Sequence, residues 1–331
     1  MITRMSRDLV REQKSIWFFP QESRHEKSGD IYSRLDSVYL DALPRDIPLS
    51  IMPIGGKSAA RKNFAVSVVP TDEQMTRTMA GALSENRRAY MPTDIKHSVC
   101  DFVRRTASRL LQREKAVFEI VLLRDPKTNE LLGCDLFEIN VRTLTFKKNQ
   151  VSQRVPSQIA AERNVPTIID LDTERLAIFS LPPEFRDLAK IKRGLARLGG
   201  GSLTQMYEAS RQDTNLGYDI KEHIRSEHLA IAAATRTTGW SANQTQTLYE
   251  VFTEYYVLHR HLVFQRFIIT LRDWILVILN EVVARIAKLW GKTASIEISG
   301  LPLLADVQRA QTELAQGART FASVLDDFSL L

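Results

Sequence analysis

The stretch TEYYVLHRHLVFQRFIITLRDWILVILNEVVARIAKLW, residues Thr253 to Trp290, decides how the rest of the chain is read. It contains neither Pro nor Gly, and Gly291 follows where a helix is expected to stop. Projected at helical spacing, Arg266, Asp273, Glu281, Arg285 and Lys288 share one side. Phe264, Phe267, Ile268, Leu271, Trp274, Ile275, Ile278, Val282 and Ile286 cover most of the remainder. A surface helix needs an apolar stripe of roughly a third of its circumference, so a rod coated this widely requires cover from several directions. It is either the central helix of its own domain or a helix covered by neighbouring copies of the chain. The second alternative makes Phe264, Phe267, Ile268, Leu271, Trp274, Ile275, Ile278 and Val282 the expected oligomer interface.

Composition sets outer bounds. At 331 residues with 44% apolar content, the chain has the length of one large or two ordinary globular domains. A formal charge of +6 fits an acidic partner, either nucleic acid or an anionic membrane surface, without requiring one. Cys100 and Cys134 lack metal-ligand and redox spacing, so reduced thiols in a cytoplasmic setting are expected, with no metal and no cofactor. The N-terminus is broken by Arg4, Arg7, Asp8, Arg11 and Glu12 and is not a secretory signal. The apolar run from Trp274 to Ala284 is bracketed by Arg272, Asp273, Glu281 and Arg285. It is shorter than the ~20 residues of a spanning helix, so no stable membrane insertion is expected.

Outward from the rod, residues 1–30 read as a charged arm whose aromatic cluster, Trp17, Phe18 and Phe19, docks on the body or reaches a neighbour. Prolines and glycines between Ile31 and Pro70 predict short strands and turns. Gly55-Gly56-Lys57-Ser58 mimics the end of a phosphate loop, but the position five before Gly56, where the loop's first glycine belongs, is not Gly, and Pro53 interrupts the loop. Helices are predicted over DEQMTRTMAGAL and, after Thr93, over DIKHSVCDFVRRTASRLLQREK. The second carries Arg104, Arg105, Arg109, Arg113 and Lys115 on its polar face, a solvated stripe or a phosphate-tracking one.

The period then turns to alternation. AVFEIVLLRD and LLGCDLFEINVRTLTF flank the polar turn Pro126–Glu130, and TIIDLDTERLAIFSLPP adds a third run. Asp170 and Asp172 fit a turn better than a metal site, because no further ligand stands nearby in sequence. Residues 182–201, with a diproline, basic residues from Arg186 through Lys190, Lys192 and Arg193 to Arg197, and a triple glycine, read as a linker. Beyond it the text is helical, save one strand in TASIEISGLPLL. The segment DVQRAQTELAQG is opened by Asp306 and closed by Gly317. The fold class is α+β: a small β-rich hairpin and sheet region with flanking helices, then a long-helix C-terminal half. In linear order this gives an arm (1–30), a mixed α/β domain (31–181), a linker (182–201) and a helical domain with one terminal strand (202–331).

Catalytic patterns are sparse. His223 and His228 are five apart and off a common helical face, and Glu254 precedes His259 by five, so neither metal-helix nor di-metal bundle spacing is met. The polar, aromatic start of the rod, with Glu250, Glu254, Tyr255, Tyr256, His259 and Arg260, ranks first as an enzyme site if one exists.

The order of elements carries a resemblance. FEIVLLRDPKTNELLG, then IIDLDTERLAIF, a basic connector, a long helix, and LNEVVARI ahead of GLPLLADVQRAQTELAQG resembles the layout of tailed-phage portal proteins across roughly Asp94 to Gly317. The resemblance implies a homo-oligomeric structural ring around double-stranded DNA, in cytoplasm or virion, with no catalytic residue of its own and a separate motor. This chain departs from the pattern in its short interval between Gly201 and Thr253 and in its basic balance. The rival readings are a nucleic-acid-binding regulatory or defence module, tracking phosphates through Arg104–Lys115 and Arg186–Arg197, and an enzyme at the start of the rod.

Overall fold

The structure is a computed structural model that describes residues 9–18, 38–52, 64–84, 94–148, 150–185, 187–195, 220–241 and 253–328. The fold is α+β, and two compact units divide it. The first draws on Met1–Ser23, Phe64–Ser180 and Ile275–Ser299, the second on Arg24–Asn63, Leu181–Trp274 and Gly300–Leu331. The linear division expected from sequence is therefore corrected: the strand after the rod belongs with the N-terminal sheets. It is a five-residue strand, Ser295–Ser299, and its backbone groups need a partner strand, which Ala65–Val69 supplies.

The first unit is built around β3 (Lys115–Arg124), every residue of which from Ala116 to Leu122 is buried. A strand buried on both faces reads as a continuous apolar run, as AVFEIVLL does. β4 (Leu131–Ile139) pairs antiparallel along one edge, and the other edge is shared: β8 (Leu176–Ser180) takes the first half and β1 (Val10–Glu12) the last three residues. On one face lies α3 (Ile95–Arg113), which follows β2 (Ala65–Val69) and α2 (Glu73–Leu83) and follows α1 (Val38–Ile51) in chain order. Phe102 of α3 meets Phe118 and Phe179 with ring centroids 5.0 and 5.7 Å apart. On the other face Val117, Ile139 and Leu176 pack with Val151 and Leu171 of a second sheet, β5 (Leu144–Lys147), β6 (Gln150–Arg154) and β7 (Ile168–Leu171), with α4 (Ser157–Arg163) between the last two.

Two runs that read as single strands are each split. Asn140 caps a one-turn helix at Val141–Thr143 by accepting from the Arg142 N–H, and Asp172 does the same for Thr173–Arg175. Each break sends the chain from one sheet to the other, and Asp172 takes the turn role expected of it. Asp170 accepts from Gln150 Nε2 at 2.9 Å.

The described part of the N-terminal arm, 9–18, is fixed in place. The buried Glu119 carboxylate accepts the backbone N–H groups of Lys14 and Ser15, both at 2.8 Å, and the Ser15 hydroxyl. Gln153, fully buried, exchanges hydrogen bonds with both backbone groups of Ile16. Phe18 is buried in the sheet-to-sheet core, Trp17 stays partly exposed, and Phe19 lies outside the described residues.

A second correction concerns residues 38–51, expected as strands and turns. They form α1 despite Pro44 and Pro48 inside it. The prolines remove two helical hydrogen bonds, but Leu43, Ile47 and Ile51 stand four apart and all are buried, so packing of that face outweighs the loss. The Gly55–Ser58 turn lies outside the described residues.

The second unit holds α1, α5 (188–195), α6 (Ile220–Ala234), the first part of α7 (Glu254–Lys288), α8 (Leu304–Ala315) and α9 (Phe321–Phe328). The basic segment expected as a linker is in part α5, because Leu188, Ile191 and Leu195 recur at helical spacing and are buried. α6 is clamped to α7 by Arg260, whose buried guanidinium donates to the carbonyls of Ala232 (2.9 Å) and Trp240 (2.7 Å) and to the Thr235 hydroxyl (2.8 Å). A cation placed on the last carbonyls of a helix is favourable both as hydrogen bond and against the dipole. Gly239, at φ +68°, presses on the α7 backbone: a Cβ there would stand 2.4 Å from the Arg260 carbonyl and 2.5 Å from the Phe264 nitrogen. At α8 the Asp306 carboxylate accepts from the Leu303 N–H at 2.8 Å.

The rod is α7. Phe267, Ile268, Leu271, Ile275 and Val282, five of the eight residues expected at an oligomer interface, are buried within this one chain, so they are core and need no neighbouring copy. Phe264, Trp274 and Ile278 are partly buried. Within the first unit, Asn280 takes both backbone groups of Ile296, at 2.7 and 3.1 Å, and joins β9 (Ser295–Ser299) to the helix.

Gly239→Ala should cost about 3 kcal/mol or more, since it combines a left-handed backbone with a clash against backbone atoms that cannot rotate away. A chemical denaturation midpoint within error of the parent protein's would contradict the close approach of Gly239 to α7.

Candidate nucleic-acid interface

The arginines expected to form a phosphate-tracking stripe on α3 are engaged inside the first unit. Arg109 pairs with Glu138 on β4 at 2.6 Å, and Arg113 donates to Asn140 at 2.6 Å. Arg105 lies 5.6 Å from the ring centroids of both Phe102 and Phe118, and Arg104 is largely covered and faces Asp101 at 3.6 Å. Burial lowers the pKa of Arg104 and Arg113 from the ordinary arginine value. Only Lys115 is exposed, with its ammonium over the Phe146 ring at 4.5 Å. Arg105, Arg109 and Arg113 thus tie the helix to the sheet and to the turn after β4 while Arg104 pairs within α3, a correction to the stripe reading. Cys100 and Cys134 lie buried in the same unit, where desolvation raises their thiols to about 11 and about 12, so neither is a ready nucleophile.

The second basic segment differs. With Leu188, Ile191 and Leu195 turned inward, α5 presents Lys190 and Arg193 to solvent, and Lys192 is partly buried. Arg186 and Arg197 lie outside the described residues. α5 approaches the end of α6 so closely that a Cβ on Gly194 would stand 3.2 Å from that of Ala234. The two helices form the floor of a groove of about 740 Å3, and Lys190, Arg193 and Arg236 line it together with Thr237 and one carboxylate, Asp187. Among the described residues no carboxylate is within ion-pair distance of Lys190, Arg193 or Arg236.

The groove leads into a cleft of about 400 Å3, which shares Asp187, Ile191 and Thr237 with it. One wall is a face of α7 carrying His259, Val263, Arg266 and Thr270, and the floor includes Phe185 against Phe267, ring centroids 4.4 Å apart. Sequence reasoning found Lys190 and Arg193 but missed Arg236 and Arg266. Arg236 ends the helical run LAIAAATR, a visible position, but its meeting with α5 depends on the Gly194–Ala234 contact and has no local signal.

The polar start of α7 divides between core and solvent. Arg260 is the buried clamp described above, while Glu254, Tyr255 and His259 are exposed. Glu250 and the side chain of His223 lie outside the described residues. Among the described residues no group of His, Cys, Asp and Glu is placed to hold a metal ion, and no helix is long and apolar enough to cross a membrane.

His261, on the neighbouring face of α7, holds the C-terminal helix: its Nε2 lies 3.2 Å from the Phe328 carbonyl, to which Gln265 Nε2 also donates at 3.2 Å. Burial lowers the pKa of this imidazole below its ordinary 6.5, opposed by the contact with Phe328. As pH falls below about 6.5 the unfolded chain therefore takes up the proton before the folded one, and stability is lost. The denaturation midpoint should fall between pH 7.5 and pH 5, and His261→Gln should flatten that fall; an unchanged slope in the variant would remove His261 as its source.

No protein-family model, curated protein or solved structure matches this chain. What the fold and the groove define is an α+β protein with a basic surface channel on its helical unit.

Proposed function

We propose that this chain is a structural subunit of a nucleic-acid-handling assembly and meets the phosphate backbone through the groove between α5 and α6. The observation that carries the reading is the gathering of Lys190, Arg193 and Arg236 on one groove with no carboxylate pairing them among the described residues, while the arginines of α3 are engaged internally. Cations left facing one another gain most from an anion that lies between them. Backbone recognition needs no catalytic group.

The resemblance to tailed-phage portals makes the assembly a homo-oligomeric ring for DNA passage. With most of the apolar face of α7 covered inside one chain, the ring rests on that resemblance alone.

Binding to a labelled DNA duplex should weaken steeply between about 50 and 200 mM salt. Lys190→Ala, Arg193→Ala and Arg236→Ala together should reduce the salt slope by about two to three, since each phosphate contact contributes ~0.9. The charge-matched triple Lys127→Ala, Lys147→Ala and Lys148→Ala, exposed residues of the first unit, should leave the slope unchanged. Equal losses in both triples would reduce the groove to general charge. Light scattering on the same samples should give a multiple of 37.7 kDa if the ring forms; a monomer at micromolar concentration removes the ring and leaves the groove.

A further inference from the structure

Past the cleft, the same face of α7 opens into a third concavity of about 470 Å3, which shares His259 and Gln311 with the cleft. Its floor is apolar, from Leu258, Leu262 and Leu314, and its rim carries Tyr255 and Phe321. Tyr255 is 66% exposed and Phe321 38%, an unusual outlay of aromatic surface on the rim of one depression. The rings stand 6.3 Å apart and edge to face, and the Tyr255 ring lies parallel to that of His259 at 6.4 Å. Neighbouring rings thus hold Tyr255, two-thirds exposed, in one orientation at the rim. Tyr255, His259 and Arg266 follow one helical face, and the eleven-residue interval from Tyr255 to Arg266 spans about 16 Å at ~1.5 Å per residue.

Each concavity shares lining residues with the next, and their chemistry changes along the row. Cations come first, at Lys190, Arg193 and Arg236. A mixed cleft follows, with Arg266 and His259 on one wall and the carboxylates of Glu184 and Asp187 on the other. The aromatic shelf is last. Phosphate tracking joined to aromatic stacking is the chemistry that holds a single strand, because only an unpaired base can offer its face to a side chain. A duplex offers this path its phosphates but buries the faces of its bases. The middle carboxylates repel phosphate and accept hydrogen bonds from base N–H groups, the ring N3–H of thymine and uracil among them, so they set which edge of the strand turns inward.

We propose that this face of the helical unit binds unpaired nucleotides, with phosphates along Lys190, Arg193, Arg236 and Arg266 and a base stacked on the Tyr255–Phe321 shelf. The proposal rests on the polyanion reading of the groove and narrows it to single strands. About five nucleotides at the stacked repeat of ~3.4 Å span the α7 wall from shelf to Arg266, within the ~4–16 that single-strand grooves usually cover.

The test is fluorescence anisotropy of the full chain with a labelled 12-nucleotide oligo-dT, a labelled 12-nucleotide oligo-U and a 12-base-pair DNA duplex at one salt concentration. At least one single strand should bind more tightly than the duplex, and the pair of arms separates DNA from RNA. Tyr255→Ala with Phe321→Ala should weaken the preferred strand by about tenfold to a hundredfold, at ~1–3 kcal/mol per stacked base, and leave the duplex unchanged. Tyr255→Trp should restore or strengthen binding. The inference is overturned if the duplex binds as well as either strand, or if the aromatic pair weakens duplex and strands alike or neither. Salt-dependent duplex binding that is lost in the groove triple would then still uphold the groove. Absence of salt-dependent binding to all three probes overturns both readings.

Discussion

The coating of α7 is the constraint the structure answers to. A helix apolar over most of its circumference cannot end in water, and each unit meets its share of that surface with a different device. In the helical unit, Gly239 brings a turn against the backbone of α7 and Arg260 reaches back to the carbonyls of Ala232, in the last turn of α6, and of Trp240 beyond it. In the sheet unit, Asn280 substitutes for a strand by pairing both backbone groups of Ile296, and Arg285 donates to the carbonyls of Glu174 and Leu176. In both cases a polar side chain on the rod satisfies backbone groups that the packing would otherwise strand.

Arginine shows two fates in this chain, and desolvation separates them. On α3 the guanidiniums lie over a sheet and are partly removed from water, so each requires a partner: Glu138, Asn140, or the faces of Phe102 and Phe118. On α5 and just beyond the end of α6, Arg193 and Arg236 are exposed, and although Arg193 Nε donates to the Ala189 carbonyl of its own helix at 3.4 Å, water can solvate both charges without a carboxylate. Cations that need no internal partner remain available to an external one. The same residue type therefore contributes to cohesion in one unit and to surface potential in the other.

Periodicity made much of the fold legible. α3, α6, α7 and β3 each carry an apolar period long enough to stand on its own, and β3 announces its double burial by a run without polar interruption except Glu119. The break at Asn140 was illegible because it is a single Asx-capped turn inside an apolar run, with no Gly or Pro to mark it, whereas the Asp170 and Asp172 pair did signal the turn at Thr173–Arg175. α1 was illegible for the opposite reason, since Pro44 and Pro48 signal a break that burial of Leu43, Ile47 and Ile51 overrides. At the candidate interface the charges themselves were visible but their company was not. Glu138 stands far from Arg109 in sequence, and Arg236 far from Arg193, so nothing local distinguishes a cation that will be paired from one that will not.

Exposure of a lysine or arginine costs little, so a single exposed cation argues for nothing. Several cations lining one groove are another matter, because they raise the potential each of them feels, and water and salt relieve this only in part inside a concavity. Gly194 and Ala234 matter here as much as the charges. By removing side-chain bulk at the helix crossing they let α5 and α6 approach, which gathers Lys190, Arg193 and Arg236 about one channel in place of separate faces. A larger residue at 194 would fill the floor and part the cations with no change in net charge. The spacing of these cations is thus set by a packing contact between two residues that carry no charge, and the proposed phosphate contact depends on that spacing.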